Sequence, residues 1–225
     1  MKILSIDTSS NICSVAILED EKLITEISLD NGLTHSESLM PTIDNIFKET
    51  NLKLNDIDLI VCDKGPGSFT GIRIGVSTVM AFSDSLQIPT CGISSLEALA
   101  YNVNNDGFIC SLIDARNSNC YCGIFELCNG NYKLLKPFWA DHIDKIVETI
   151  KPYSNSITFV GNGAIVNKDI IASKFDSFNI SDKYNLSAYN LGLAGLKAFS
   201  GGNAEDVMPL YLRKSQAERM LQEKK

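Results

Sequence analysis

Apolar and polar positions alternate along this chain in two rhythms. Three short runs, Lys2–Asp7, Ile12–Leu18 and Lys22–Ser28, are strand-like and are separated by turns rich in Ser, Asn, Asp and Glu. The period then turns helical over Ser36–Thr50, where Leu39, Ile43, Ile46 and Phe47 make one apolar stripe and Met40 falls off it. Thr34-His35-Ser36-Glu37 is a capping-box pattern that would open this helix. Pro41 then demands either a kink or a start near Ser38, where a first-turn proline is tolerated. Next come a strand at Ile57–Cys62, a glycine-rich loop and a helix from about Thr70 to Leu86, with Pro89 as a stop. The predicted order is βββαβα.

After a short helix near Leu96–Tyr101 and a polar stretch, Asn102–Asp106, a similar order begins again. Strands fit Phe108–Ala115, Cys120–Leu127 and, past the Asn129-Gly130 turn, Tyr132–Lys136. A helix fits Asp141–Ile150, then a strand Ile157–Gly161, a short helix near Lys168–Lys174, and an apolar helix Ser187–Ser200 ending at Gly201-Gly202. Two halves of like topology, 1–103 and 104–225, predict two α/β lobes with mixed sheets. The charged tail 214–225 offers no strong argument for either helix or coil.

The chain of 225 residues, 44% of them hydrophobic, is long enough to bury a real core in one domain or two. Its net charge of −7 argues against a protein that grips nucleic acid alone, because that needs clustered Lys and Arg. A charge at Asp7 interrupts any signal-peptide core, and no run approaches the ~20 apolar residues of a membrane span. The expectation is a cytoplasmic protein without membrane contact. Of the seven cysteines, Cys13, Cys62, Cys91 and Cys110 sit inside apolar strand-like runs, as reduced core cysteines do. Cys120 and Cys122 share a strand face but have no second pair at zinc spacing.

Two stretches carry candidate chemistry. Asp7-Thr8-Ser9-Ser10 follows the first strand, where amides and hydroxyls can face an anion and an aspartate can hold a metal-bound water; an ordinary Asx or Ser/Thr turn uses the same residues. Gly65-Pro66-Gly67-Ser68-Phe69-Thr70-Gly71 runs into a helix whose bare N–H groups could receive an anion. It lacks the Gly-Lys-Ser/Thr of a P-loop. On a helical wheel Gly71, Gly75, Thr78 and Phe82 share one side, and Ile72, Val76, Val79 and Leu86 the adjoining arc. Small residues so spaced let another backbone come close, while Arg73, Ser77 and Asp84 are left to face water or another protein. In the second half, Asp114-Ala115-Arg116 continues as Asn117-Ser118-Asn119 without glycine, which suits phosphate poorly. Gly161-Asn162-Gly163 could approach a ligand or be a plain loop. His35 and His142 lack a partner at metal-binding spacing.

The pieces "ILSIDTSS", "HSESLMPTID", "GPGSFTGIRIG", "DAR" and "PLYLR" together resemble the TsaB (YeaZ) family of bacterial tRNA-modification proteins over nearly the whole chain. The resemblance implies a two-lobed fold of the actin-like ATPase and sugar kinase superfamily, each lobe a mixed sheet with flanking helices. It also implies a catalytically inactive relative of TsaD. TsaD-like proteins use a histidine pair to hold a metal and transfer a threonylcarbamoyl group to the adenosine beside the anticodon; this chain has no such pair. The implied role is a non-catalytic scaffold that activates a TsaD-like transferase, together with a TsaE-like ATPase, with tRNA held only through the complex. No catalytic or metal residue and no required cofactor are expected. A weak or vestigial nucleotide site would draw on Asp7, Thr8, Ser9, Gly65 and Gly67, and the resemblance leaves room for ATP or ADP at the partner interface. That interface would use His35, Leu39, Met40, Ile43, Phe47, Arg73, Ser77 and Met80. A surface made for a partner of like fold could also pair with itself. An active ATPase or small-molecule kinase using Asp7 and the glycine loop, and a glycoprotease-like peptidase, stand as alternatives.

Overall fold

The computed structural model describes residues 1–153 and 156–213; the tail 214–225 lies outside the described residues. Strands β1 (Lys2–Asp7), β2 (Cys13–Glu19), β3 (Lys22–Leu29), β4 (Leu59–Asp63) and β5 (Thr90–Ile93) form one sheet in the order β3-β2-β1-β4-β5. A second sheet, in the order β10-β9-β6-β7-β8, uses β6 (Gly107–Asp114), β7 (Asn119–Cys128), β8 (Asn131–His142), β9 (Ile157–Val160) and β10 (Asn179–Ile180). Both sheets follow one plan. Three sequential strands pair antiparallel, and a helix then carries the chain over to a strand parallel to the first. The two-lobed α/β expectation therefore matches the described chain.

Apolar side chains explain the layering. Leu4, Ile6, Val15, Ile17 and Ile60 face one side of the first sheet, under α1 (His35–Thr50) and α2 (Phe69–Leu86). Ile3, Leu18, Leu59 and Val61 face the other side, under α3 (Ser95–Ala100) and α7 (Ala188–Ser200). Leu99 and Ala100 of α3 also pack on Ile109 and Phe125 of the second sheet. That sheet's far face holds α4 (Ile143–Ile150), α5 (Asn162–Val166) and α6 (Lys168–Ala172) against Cys110, Cys120, Cys122 and Phe159. The Cys110 and Cys122 sulfurs lie 3.7 Å apart, within this apolar layer.

Several boundaries differ from the periodicity, each for a local reason. Helix α1 begins at His35, not Ser38, because Glu37 accepts the Thr34 N–H (3.0 Å) and closes the first turn. Pro41 rides on the exposed side and forfeits one internal bond. Residues 90–93, too short to show a period, form β5 beside β4. Asp141 extends β8 rather than opening a helix, since His142 Nδ1 accepts the Asp144 N–H (3.4 Å) as the cap of α4. Leu86, placed on the apolar arc, is exposed at the helix end.

The division at residue 104 separates the sheets but misplaces α7. This helix belongs to the second half of the sequence yet lies across β1, β2 and β5 of the first sheet. It comes close because of two glycines: a Cβ at Gly192 would lie 2.7 Å from Leu18 Cδ1, and one at Gly195 would lie 2.4 Å from Val61 Cγ2. Alanine improves helix propensity by about 1 kcal/mol over glycine. Against the stiff Val61, overpacking of ~1–3 kcal/mol should win. Gly195→Ala is therefore expected to lower the urea midpoint of unfolding; a rise would mean that α7 does not sit this close to β4.

Candidate functional site

Strands β1 and β4 run parallel with Ile6 opposite Cys62, so Asp7 and Asp63 end neighbouring strands at the same carboxyl edge. Ligands of open α/β sheets are received at such an edge. Here the edge is bonded to itself. Asp63 Oδ1 accepts the Gly65 N–H (2.6 Å) and the Ser95 hydroxyl (2.7 Å), and Oδ2 accepts the Ser9 hydroxyl (3.0 Å). Asp7 Oδ1 accepts the Ser9 N–H (2.8 Å), while Oδ2 has no partner among the described residues. Both aspartates are 1% exposed. Burial pushes both carboxyls above their ordinary range, and the charge of Asp7 pushes Asp63 further. Two adjacent buried carboxyls cannot both ionise cheaply, so the pair holds a shared proton more tightly than separate carboxyls would.

The glycine loop packs against the turn that follows β1. Ser68 N–H donates to the Ser9 carbonyl (2.7 Å), the Thr8 hydroxyl donates to the Gly71 carbonyl (2.7 Å), and the Ser68 hydroxyl caps α2 by accepting the Gly71 N–H (3.2 Å). A Cβ at Gly67 would stand 2.2 Å from the Ser9 oxygen, and one at Gly71 only 1.9 Å from the Thr8 oxygen. These glycines exist because the chain's own backbone occupies the space. The structure brings Asp7, Thr8 and Ser9 together with Gly65 and Gly67 in a buried bracket. His35 completes the bracket from α1: its Nε2 donates to the Ser10 carbonyl (2.8 Å), and its ring edge lies against Gly71. Asp63 and Ser95 were missed by sequence reasoning. The signal was the carboxylate that directly precedes Lys64-Gly65, read there as lying beyond the strand.

The matching turn of the second sheet is also closed. Arg116, Asn117 and Ser118 take left-handed φ values of 64°, 52° and 55°, and Asp114 Oδ1 accepts the Arg116 N–H (3.0 Å). Gly161-Asn162-Gly163 packs against β6: Asn162 Oδ1 accepts the Asp114 N–H (3.0 Å), and a Cβ at Gly161 would be 2.2 Å from the Leu112 oxygen. Among the described residues, no three His, Cys, Asp or Glu side chains are grouped to hold a metal ion.

The outward faces of α1 and α2 separate the expected interface residues. Met40 and Met80 are 50% and 40% exposed, and Arg73 and Ser77 are exposed beside them on α2. Leu39 and Ile43 are 1% and 4% exposed in the core and have nothing to offer a partner, because the helical period turns them onto the sheet. Phe47 is half-buried at the core margin, and His35 turns inward to Ser10.

A carboxyl pair whose folded-state affinity for protons is raised stabilises the fold fully at acid pH. That contribution is lost as pH climbs above the ordinary carboxylate range. Asp7→Asn removes one of the two charges while keeping an acceptor for Ser9. Its stability relative to the wild type should therefore rise between pH 5 and pH 8, by on the order of 1 kcal/mol in urea unfolding. Parallel pH profiles for the two proteins would contradict the shared proton.

Comparison with known proteins agrees with this architecture. Residues 31–219 match the family described as "TsaD: tRNA N6-adenosine threonylcarbamoyltransferase". The chain is 30% identical to the tRNA threonylcarbamoyladenosine biosynthesis protein TsaB of Bacillus subtilis (strain 168), over 97% of this chain and 96% of that one. The solved structure of YeaZ from Pseudomonas aeruginosa superposes with a TM-score of 0.79 at 25% identity, covering 94% of this chain and 99% of that one. An inorganic polyphosphate/ATP-glucomannokinase from Arthrobacter sp. strain KM shares the fold alone, with a TM-score of 0.54 at 8% identity over 89% of this chain and 99% of that one. The kinase likeness bears out the two-lobed sugar-kinase-type architecture, and the match along almost the whole length bears out the motifs: the chain belongs to the TsaB (YeaZ) family of tRNA threonylcarbamoyladenosine biosynthesis proteins.

Proposed function

We propose that this chain is the non-catalytic scaffold that activates a TsaD-type transferase in placing threonylcarbamoyl on tRNA adenosine beside the anticodon. One observation carries the reading. At the edge where a phosphate-handling fold would receive its nucleotide, the groups that would face a ligand are spent on the chain itself: Ser9 N–H on Asp7, the Thr8 hydroxyl on Gly71, and the Ser9 hydroxyl on Asp63. The family membership supports a place in threonylcarbamoyladenosine biosynthesis. The net charge of −7 favours a tRNA held by partners.

Met40, Arg73, Ser77 and Met80, on the exposed faces of adjoining helices, are the surface offered to the transferase. Flexible methionines suit such an interface. A TsaE-like ATPase acts in the same assembly, nucleotide binding by this chain alone is not required, and the reactions take place in the cytoplasm. No helix among the described residues is long and apolar enough to cross a membrane. The peptidase alternative finds little support. His35 and His142 are each committed to a structural bond, and burial raises the thiols of Cys62, Cys91, Cys120 and Cys122.

The test is threonylcarbamoyl transfer to tRNA with the transferase and ATPase, with and without this chain, alongside ATP turnover by the chain alone. Modification should depend on the chain, and the isolated chain should hydrolyse no ATP. Met40→Asp together with Met80→Asp should weaken transferase binding at least ~tenfold, by charging an apolar contact, while thermal stability stays near wild type because both side chains are exposed. ATP turnover abolished by Asp7→Ala would replace this reading with the kinase or ATPase alternative.

A further inference from the structure

The two short motifs left without a role, Asp114-Ala115-Arg116 and Pro209-Leu210-Tyr211-Leu212-Arg213, meet in the structure. From Gly201 the chain leaves α7 and runs as an irregular strap to Arg213. The strap first follows the carboxyl edge of the first sheet. Gly92 N–H donates to the Glu205 carbonyl (2.8 Å) and Leu210 N–H to the Lys64 carbonyl (2.7 Å), Glu205 pairs with the Lys64 ammonium, and Val207 is buried in the core beneath α1 and α2. The fit leaves no slack at Gly92, where a Cβ would lie 2.5 Å from the Asp206 oxygen.

Tyr211 then lies flat on Phe69, the second ring of a stack with centroids 4.7 Å apart and planes 7° from parallel. Its hydroxyl accepts the Arg73 Nε–H (2.8 Å), and the same guanidinium stands 5.6 Å from the tyrosine ring centroid. Phe69 and Arg73 lie in the first two turns of α2, and Arg73 stands one turn ahead of Ser77 and two ahead of Met80. Two residues further on, Arg213 Nη1 donates to the Ala115 carbonyl (3.1 Å) at the end of β6, directly before the three left-handed residues. Three consecutive non-glycine residues in that conformation are costly, and the Arg213 bond fixes the carbonyl from which they depart.

We propose that this strap positions the partner-facing helix: Tyr211 holds the first turns of α2, Arg213 anchors the strap to the second lobe, and α2 is thereby fixed relative to both sheets. The partner belongs to the scaffold reading given above, on which that part of the inference rests; the coupling between the lobes does not. Tyr211 and Arg213 are positioning residues and act through Phe69, Arg73 and Ala115.

Hydrogen exchange of the full chain, read peptide by peptide, tests the coupling. Arg213→Ala touches only the second lobe, yet it should raise exchange in residues 69–76 of α2 as well as in 114–119, each about tenfold. Tyr211→Phe, which keeps the ring and loses the hydroxyl, should give a smaller rise confined to 69–76, and Arg213→Lys, which keeps a donor, should restore most of the protection. Tyr211→Ala should weaken binding of the TsaD-type transferase about tenfold while the unfolding midpoint changes little. Unchanged exchange at 69–76 in both Arg213→Ala and Tyr211→Phe would overturn the strap's role. A wild-type chain that fails to bind the transferase would sink the scaffold reading, and the exchange result would still decide the strap.

Discussion

The carbonyls of Thr8 and Ser9 sit where side chains at Gly71 and Gly67 would have to be, and much of the first lobe follows from that contact. Once α2 lies so close to the end of β1, the Thr8 hydroxyl reaches the Gly71 carbonyl and the Ser68 amide reaches Ser9. Asp63 gathers Ser9, Gly65 and, from the first turn of α3, Ser95 onto one carboxylate. His35 closes the group from α1. The result is a buried polar cluster whose members specify each other's positions, which is how such clusters confer a unique arrangement on a core.

The same cluster turns the polar groups at the carboxyl edge of the first sheet toward one another. The carboxyl edge of a parallel strand pair is where open α/β sheets receive ligands. In this chain Asp7 and Asp63 lie together against the turn, four donated hydrogen bonds offset part of the cost of their burial, and that burial raises the affinity of both carboxyls for protons. The second lobe repeats the theme with different residues. Asn162 caps Asp114, and a left-handed turn takes the place of a glycine-rich one.

Much of this was legible in the residue pattern, for physical reasons that also explain what was not. Strands β1, β2 and β3 and helices α1 and α2 carry strong periods, and the small residues of α2 announced a close backbone approach before its occupant was known. Strand β5 spans only Thr90–Ile93, too few residues for any period to show. Leu39 and Ile43 were counted both as core stripe and as interface, and only the direction of the helix relative to the sheet decides between the two. Asp63 was invisible as a site because its importance comes from β1 lying beside β4, a pairing between residues more than fifty positions apart. The location of α7 is the same kind of fact, since an apolar helix does not say which sheet it will cover.

That location changes how the lobes relate along the chain. The second sheet, residues 107–180, is an uninterrupted insertion, whereas the first lobe is assembled from residues 2–103 and then from the helix and strap that follow residue 187. On the ribosome, the first sheet emerges before the second and waits with Leu18, Leu59 and Val61 uncovered until α7 arrives. A chain cut between the second sheet and α7 therefore leaves that apolar face of the first sheet open to water, even with α1 and α2 in place on the other side.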